Sequence, residues 1–146
     1  MLSTLPRELD APLQRAAKLT LFDYNVLAML SEQADGSLPM SELAARTAAS
    51  LSRLSHVVRK LERLELLTRS THPRDGRVTT AELSPLGRQT VLKLAPEHVR
   101  QVQQLIFQRL EAAEVAQLDH ILRKLVYGID PDQWIFRDGE ATPEAT

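Results

Sequence analysis

Between Ser52 and Leu64 the chain reads SRLSHVVRKLERL, and a few residues later, from His72 to Leu83, it reads HPRDGRVTTAEL. Leu54, Val57, Val58, Leu61 and Leu64 recur at helical spacing in the first segment, whereas Ser52, Arg53, Ser55, His56, Arg59, Lys60 and Arg63 fall elsewhere on the helix. One face packs and the other is polar and basic. In the second segment Asp75-Gly76 lies between stretches that can pair as strands, Leu66 to Ser70 and Val78 to Leu83, and such a dipeptide is a signal for a tight hairpin turn. Arg74 and Arg77 frame that turn, so a basic hairpin directly follows a basic helix.

The residues upstream add a second constraint. Ser41 to Thr47, SELAART, reads as a short helix with Leu43 and Ala44 inward, and the small residues Ala48-Ala49-Ser50 separate it from the longer helix. Short helix, tight turn, longer helix, hairpin is the layout of a winged helix-turn-helix, in which the second helix enters the major groove of DNA. Further upstream, Leu9, Leu13, Ala16 and Ala17 mark an amphipathic helix over about residues 7–18. Thr20 can cap the next helix, with Asp23 in its first turn and Tyr24, Leu27, Ala28 and Leu30 as its buried stripe.

Downstream, Ser84-Pro85 supplies an N-cap and a first-turn proline for a helix carrying Leu86, Val91, Leu92 and Leu94. Pro96-Glu97 is expected to restart the pattern. Val99, Val102, Leu105, Ile106 and Leu110 form one stripe after it, and Val115, Leu118, Leu122, Leu125 and Val126 form another. These helices carry more apolar surface than a small winged domain can cover. A partner subunit is the economical explanation, with the first helix joining the same interface through Leu9 and Leu13 and the last through Leu118, Leu122 and Leu125. The fold class expected is therefore mainly α with a small β component. A winged helix-turn-helix occupies residues 20–95, a helical dimerisation region residues 1–19 plus 96–136, and residues 137–146, which lack an apolar anchor, are expected to be disordered.

Charge is distributed unevenly. The net charge is −1, yet from Arg46 to Arg77 eight Arg and Lys face only Glu62, Glu65 and Asp75 among acids. Local field attracts a polyanion at short range, because physiological salt screens beyond about 8 Å. The chain has no cysteine, which excludes disulfides, thiolate-held metals and thiol redox switching within it. No apolar run approaches the roughly 20 residues needed to span a bilayer, and Met1 to Asp10 lacks a signal-peptide pattern, so a cytoplasmic protein is expected.

In this order and spacing, Leu19-Thr20, Ser41-Glu42-Leu43-Ala44, the helix from Ser50 to Leu64, the wing Arg74-Asp75-Gly76-Arg77 and Leu83-Ser84-Pro85-Leu86-Gly87 resemble the MarR family of bacterial transcriptional regulators, over nearly the whole length from Leu9 to Leu125. The resemblance implies an obligate homodimer whose helices from both chain ends form its base and whose winged domains bind a pseudo-palindromic duplex. It also implies a small-molecule effector, often phenolic or lipophilic, that lowers DNA affinity. Two positions depart from the pattern. Glu65 stands where a glycine often ends the recognition helix, so the chain either turns differently or holds a left-handed residue at a cost of roughly 1 kcal/mol. His72 stands where an Asp is frequent before the wing proline.

The expected DNA contacts are Ser52, Arg53, Ser55 and His56 in the base-reading half of the helix, Arg59 further along it, and Arg74 and Arg77 in the wing, with Asp75 orienting an arginine. His56, His72, His98 and His120 form no metal-ligand pattern, because the adjacent acids Glu97 and Asp119 point to other helix faces. Phe22, Tyr24, Phe107, Trp134 and Phe136 are read first as core or interface and only second as effector lining. No nucleophile elbow or Gly-rich phosphate loop is present, so no catalytic residue and no cofactor is expected. The alternative from another class is a winged-helix docking module without DNA binding, which would lack a steep salt dependence for duplex DNA.

Overall fold

The computed structural model describes residues 4–72, 75–130 and 133–136, so the tail expected at 137–146 lies outside the described residues. The chain divides into two compact units, Met1–Gln101 and Val102–Thr146. The first holds α1 (Thr4–Ala17), α2 (Leu21–Ser31), β1 (Ser37–Pro39), α3 (Met40–Arg46), α4 (Leu51–Arg63), β2 (Leu67–His72), β3 (Asp75–Leu83) and most of α5 (Pro85–Leu105). The second holds α6 (Ala112–Ile129), with 3-10 turns at Phe107–Arg109 and Trp134–Phe136.

Helix starts follow the capping chemistry of the sequence. Thr20 accepts from the Asp23 amide at 3.0 Å, and the Asp23 carboxylate accepts from the Thr20 amide at 2.7 Å, a reciprocal capping box that fixes the first turn of α2. Asp10 of α1 accepts from the Leu21 amide, so α1 is tied to the same turn. Ser84 caps α5 by accepting from Gly87 at 2.9 Å and donates to the Glu65 carbonyl at 2.7 Å. Gly87 is needed there for space: a Cβ would sit 1.9 Å from the Leu66 carbonyl oxygen.

The ends of α1, α3 and α4 use left-handed residues that are not glycine, Lys18, Ala48 and Glu65. Glu65 has φ +59°, and the Glu65 amide donates to Glu62 at 2.9 Å while Leu66 donates to Leu61 at 3.0 Å. That pair of bonds is a Schellman motif, which satisfies the last carbonyls of α4 and turns the chain into β2. Of the two options open at Glu65, the structure takes the left-handed one.

The sheet is antiparallel with order β1-β3-β2. Leu38 pairs with Ala81 on one side of β3, and Leu67 pairs with Leu83 on the other. Alternation along β3 works as expected, with Ala81 and Leu83 buried and Glu82 exposed. The core of the first unit gathers Leu19, Val26, Leu27, Leu30, Leu43, Leu54, Val58, Leu61, Leu67 and Ala81 around the sheet and the inner faces of α2, α3 and α4.

Three expectations are corrected. The ladder runs on through a bulge to pair His72 with Asp75, so Asp75-Gly76 belongs to β3 and is not the turn itself; cross-strand pairing outweighs the local turn preference of the dipeptide. Pro96 does not restart a helix: α5 continues through it, and because Leu92 and Pro96 are both exposed, the carbonyl that the ring leaves unpaired can be solvated. Leu64, counted with the packing face, is the C-cap and is 44% exposed, since the chain leaves helical geometry there.

Candidate nucleic-acid interface

The presentation of α4 begins with the end of α3. Ala48 has φ +50°, and the Ala49 amide donates to the Ala44 carbonyl at 3.0 Å, which closes α3 and turns the chain within a few residues. Ser50 then caps α4 by accepting from the Arg53 amide at 3.2 Å. Leu54, Val58 and Leu61 anchor α4 in the core, with Val57 half-buried. The opposite side is thereby presented to solvent.

Ser52, Arg53, His56 and Arg59 are exposed, and Ser55 is half-buried. Ser52, His56, Arg59 and Arg63 follow one another at spacings of four, three and four residues, so they line a single stripe along α4. Leu51, in the first turn, is 55% exposed and adds an apolar side chain to this surface that sequence reasoning passed over. Its signal was there: an apolar residue at an N-terminal position outside the packing stripe.

Three of the basic residues between Arg46 and Arg77 are held by carboxylates. Arg46 pairs with Glu42 at 3.0 Å, Arg69 with Glu62 at 2.7 Å, and Lys60 with the buried carboxylate of Asp23. Lys60 therefore leaves the polar face and joins α4 to α2. Its partner lies 37 residues away, a separation at which sequence spacing carries no information. Arg53 is handled differently. Its guanidinium carbon lies 4.2 Å from the centre of the Phe22 ring, and among the described residues no carboxylate pairs with it.

The wing is a two-stranded extension of the sheet beside the end of α4. The backbones of Asp75 and Arg77 belong to β3. Arg74, and the side chains of Asp75 and Arg77, lie outside the described residues.

A second polar feature sits between α2 and α5 within the first unit. The Tyr24 and His98 rings lie 4.6 Å apart and are tilted by 48°. Burial pushes the His98 imidazole below its ordinary value, and burial, followed by the Glu32 carboxylate, pushes the Tyr24 phenol up. The His98 Nδ1 and the Gln101 Oε1 are buried without a hydrogen-bond partner among the described residues. Phe22 packs against the core and Phe107 is 45% exposed.

The dimerisation expectations separate into two groups. Leu9 and Leu13 are 7% and 3% exposed and are buried within the chain itself. In contrast α6 has no buried residue, and Leu118, Ile121, Leu122, Leu125 and Ile129 are exposed at helical spacing along it. Among the described residues no group of three or more His, Asp or Glu is placed to hold a metal ion, and no helix is long and apolar enough to cross a membrane.

Comparison with known proteins agrees with this geometry. A sequence model of the MarR family matches residues 18–78, the stretch from the Thr20 cap to the wing. Sco3205, a MarR family transcriptional regulator from Streptomyces coelicolor solved in complex with DNA, is 32% identical and superposes with a TM-score of 0.86, over 97% of this chain and 85% of that one. The regulator BpsR of Bordetella bronchiseptica, whose DNA binding is regulated by 6-hydroxynicotinic acid, is 28% identical with a TM-score of 0.70, over 85% of this chain and 94% of that one. The transcriptional repressor IacR of Pseudomonas putida is 27% identical over 73% of this chain; the match spans 62% of that repressor, less than two thirds of its length.

Proposed function

The chain belongs to the MarR family of DNA-binding transcriptional regulators, and we propose that it acts as a homodimeric repressor of the promoter it occupies, released by a small-molecule effector. The observation that carries the reading is the exposed stripe of Ser52, His56, Arg59 and Arg63 with Arg53 beside it, on a helix whose other face is locked into the core. Such a helix fits a major groove with its N-terminal half toward the base edges. Arg53 and His56 are suited to reading guanine, Ser52 and Ser55 to bases or phosphates, and Arg59 to phosphate. Arg74 and Arg77 in the wing would meet the flanking minor groove, with Asp75 orienting one of them.

The exposed apolar row of α6 supports the dimer, because Leu118, Leu122 and Leu125 need a cover that the described residues do not supply. Two copies would place their recognition helices about one helical turn apart, roughly 34 Å, which calls for a pseudo-palindromic site. Repressor action follows the named activity of the Pseudomonas relative, and effector release follows the named regulation of the Bordetella protein. The His98 Nδ1, beside Tyr24, and the Gln101 Oε1, one turn further along α5, are without a hydrogen-bond partner among the described residues and are suitable partners for the polar group of a phenolic or lipophilic ligand.

Selection of bound duplexes from a random pool tests the reading. A palindromic motif is expected, with affinity that falls steeply as salt rises because phosphate contacts release counterions. Failure to enrich any sequence would instead mark the chain as a docking module. Candidate phenolic acids added to the selected complex should release the DNA.

A further inference from the structure

We propose that Phe22 is the positioning residue for Arg53, holding its guanidinium in a base-reading arrangement before DNA arrives and so setting specificity at the base pair that Arg53 reads. This rests on Arg53 being a DNA contact. Phe22 and Asp23 are neighbours in the first turn of α2, and Arg53 and Lys60 are two turns apart on α4. Seven residues of helix span about 10 Å. Two adjacent residues of α2 thus hold α4 at two points: an aromatic face under Arg53 and a carboxylate on Lys60.

The two contacts leave different atoms free. Lys60 spends its charge on Asp23. Arg53 sets its guanidinium carbon 4.2 Å from the centre of the Phe22 ring, and among the described residues no carboxylate takes its N–H groups, which a face-on stack leaves available for a bidentate contact to guanine. A stack and an in-plane hydrogen-bond pair occupy perpendicular directions and can exist together. An unsupported arginine on a helix surface samples many rotamers and loses that freedom when it docks on a base. Holding it beforehand improves the complex with the correct base and does nothing for a base that cannot accept the fork.

The α2 turn is itself rigid. Its Thr20–Asp23 capping box and the Asp10 contact to the Leu21 amide fix the backbone on which the Phe22 ring is mounted. Phe22 is half-buried and packs against the core, so its ring cannot follow a moving arginine. It is a shelf of fixed height.

The test uses the full chain and its selected duplex, with Phe22→Leu, Phe22→Tyr, Arg53→Ala and the double variant Phe22→Leu/Arg53→Ala. Phe22→Leu should lower the preference for the base that Arg53 reads by about 2- to 5-fold, with affinity for random duplex and the salt slope unchanged. Phe22→Tyr keeps the ring and should keep the preference. The double variant should bind like Arg53→Ala alone, because the shelf has nothing left to hold. In the DNA-free protein the Arg53 Nε–H order parameter should fall in Phe22→Leu and hold in Phe22→Tyr. Unchanged base preference in a folded Phe22→Leu protein overturns the proposal, as does a loss that adds fully to that of Arg53→Ala. If Arg53→Ala leaves DNA binding intact while the order parameter still depends on the ring, Arg53 is no DNA contact, and the proposal falls with that assignment and not through the shelf.

Discussion

The Lys60 ammonium of the recognition helix is paired with the Asp23 carboxylate, which is 2% exposed and also closes the N-terminal cap of α2. One buried carboxylate therefore serves two elements, the start of α2 and the placement of α4. Replacing Lys60 with Met leaves that charge without its cation. The loss should be about 1–3 kcal/mol, less than for a fully buried pair because Lys60 stays one-third exposed, and is read from the urea midpoint. Because Lys60 faces Asp23, the same variant should keep the wild-type salt slope of DNA binding; a slope smaller by about one unit would place Lys60 on a phosphate.

Glu65 adopts φ +59° to end α4, a conformation that glycine reaches without Cβ strain. Glu65→Gly should therefore raise stability by roughly 0.5–1 kcal/mol, moving the urea midpoint upward at constant slope. A lower midpoint would mean that the gain in unfolded-chain freedom outweighs the relieved strain.

His98 is held below its ordinary value of 6.5 by burial, so the fold favours its neutral form. The stability this contributes is complete above the unfolded-state value and is lost as pH falls through 6.5 toward the lower folded value. His98→Phe keeps a ring beside Tyr24 and removes the proton. The difference in melting temperature between the two proteins should be flat above pH 7 and should shift in favour of the variant as pH falls toward about 5. A difference that stays constant across that range counts against burial as the cause.

On α6, Leu122 and Leu125 are 50% and 59% exposed. The double change Leu122→Asp/Leu125→Asp should yield a folded monomer by sedimentation, with duplex affinity reduced at least about 100-fold through loss of the second half-site. A dimer that survives both charges would move the interface elsewhere on the chain.

The sequence by itself determined the elements that depend on near neighbours. Thr20 with Asp23, Ser84 with Pro85 and the spacing of Leu54, Val58 and Leu61 are local rules of capping and periodicity, and each appears in the structure where the sequence places it. The polar stripe of α4 was legible for the same reason, as the complement of its packing face. Tertiary structure decided the rest. Whether Asp75-Gly76 is turn or strand depended on the ladder that pairs His72 with Asp75, and α5 runs on through Pro96 on a side of the helix where Leu92 and Pro96 are exposed. Leu9 and Leu13 carried the same apolar signal as Leu122 and Leu125, yet among the described residues the first pair is covered and the second is exposed. Lys60 and Arg53 looked alike as bases on one helix; contacts to Asp23 and Phe22, remote in sequence, paired one with a carboxylate and set the other against an aromatic ring. Spacing along a chain fixes which face of a helix a residue occupies, but only folding fixes what stands opposite that face.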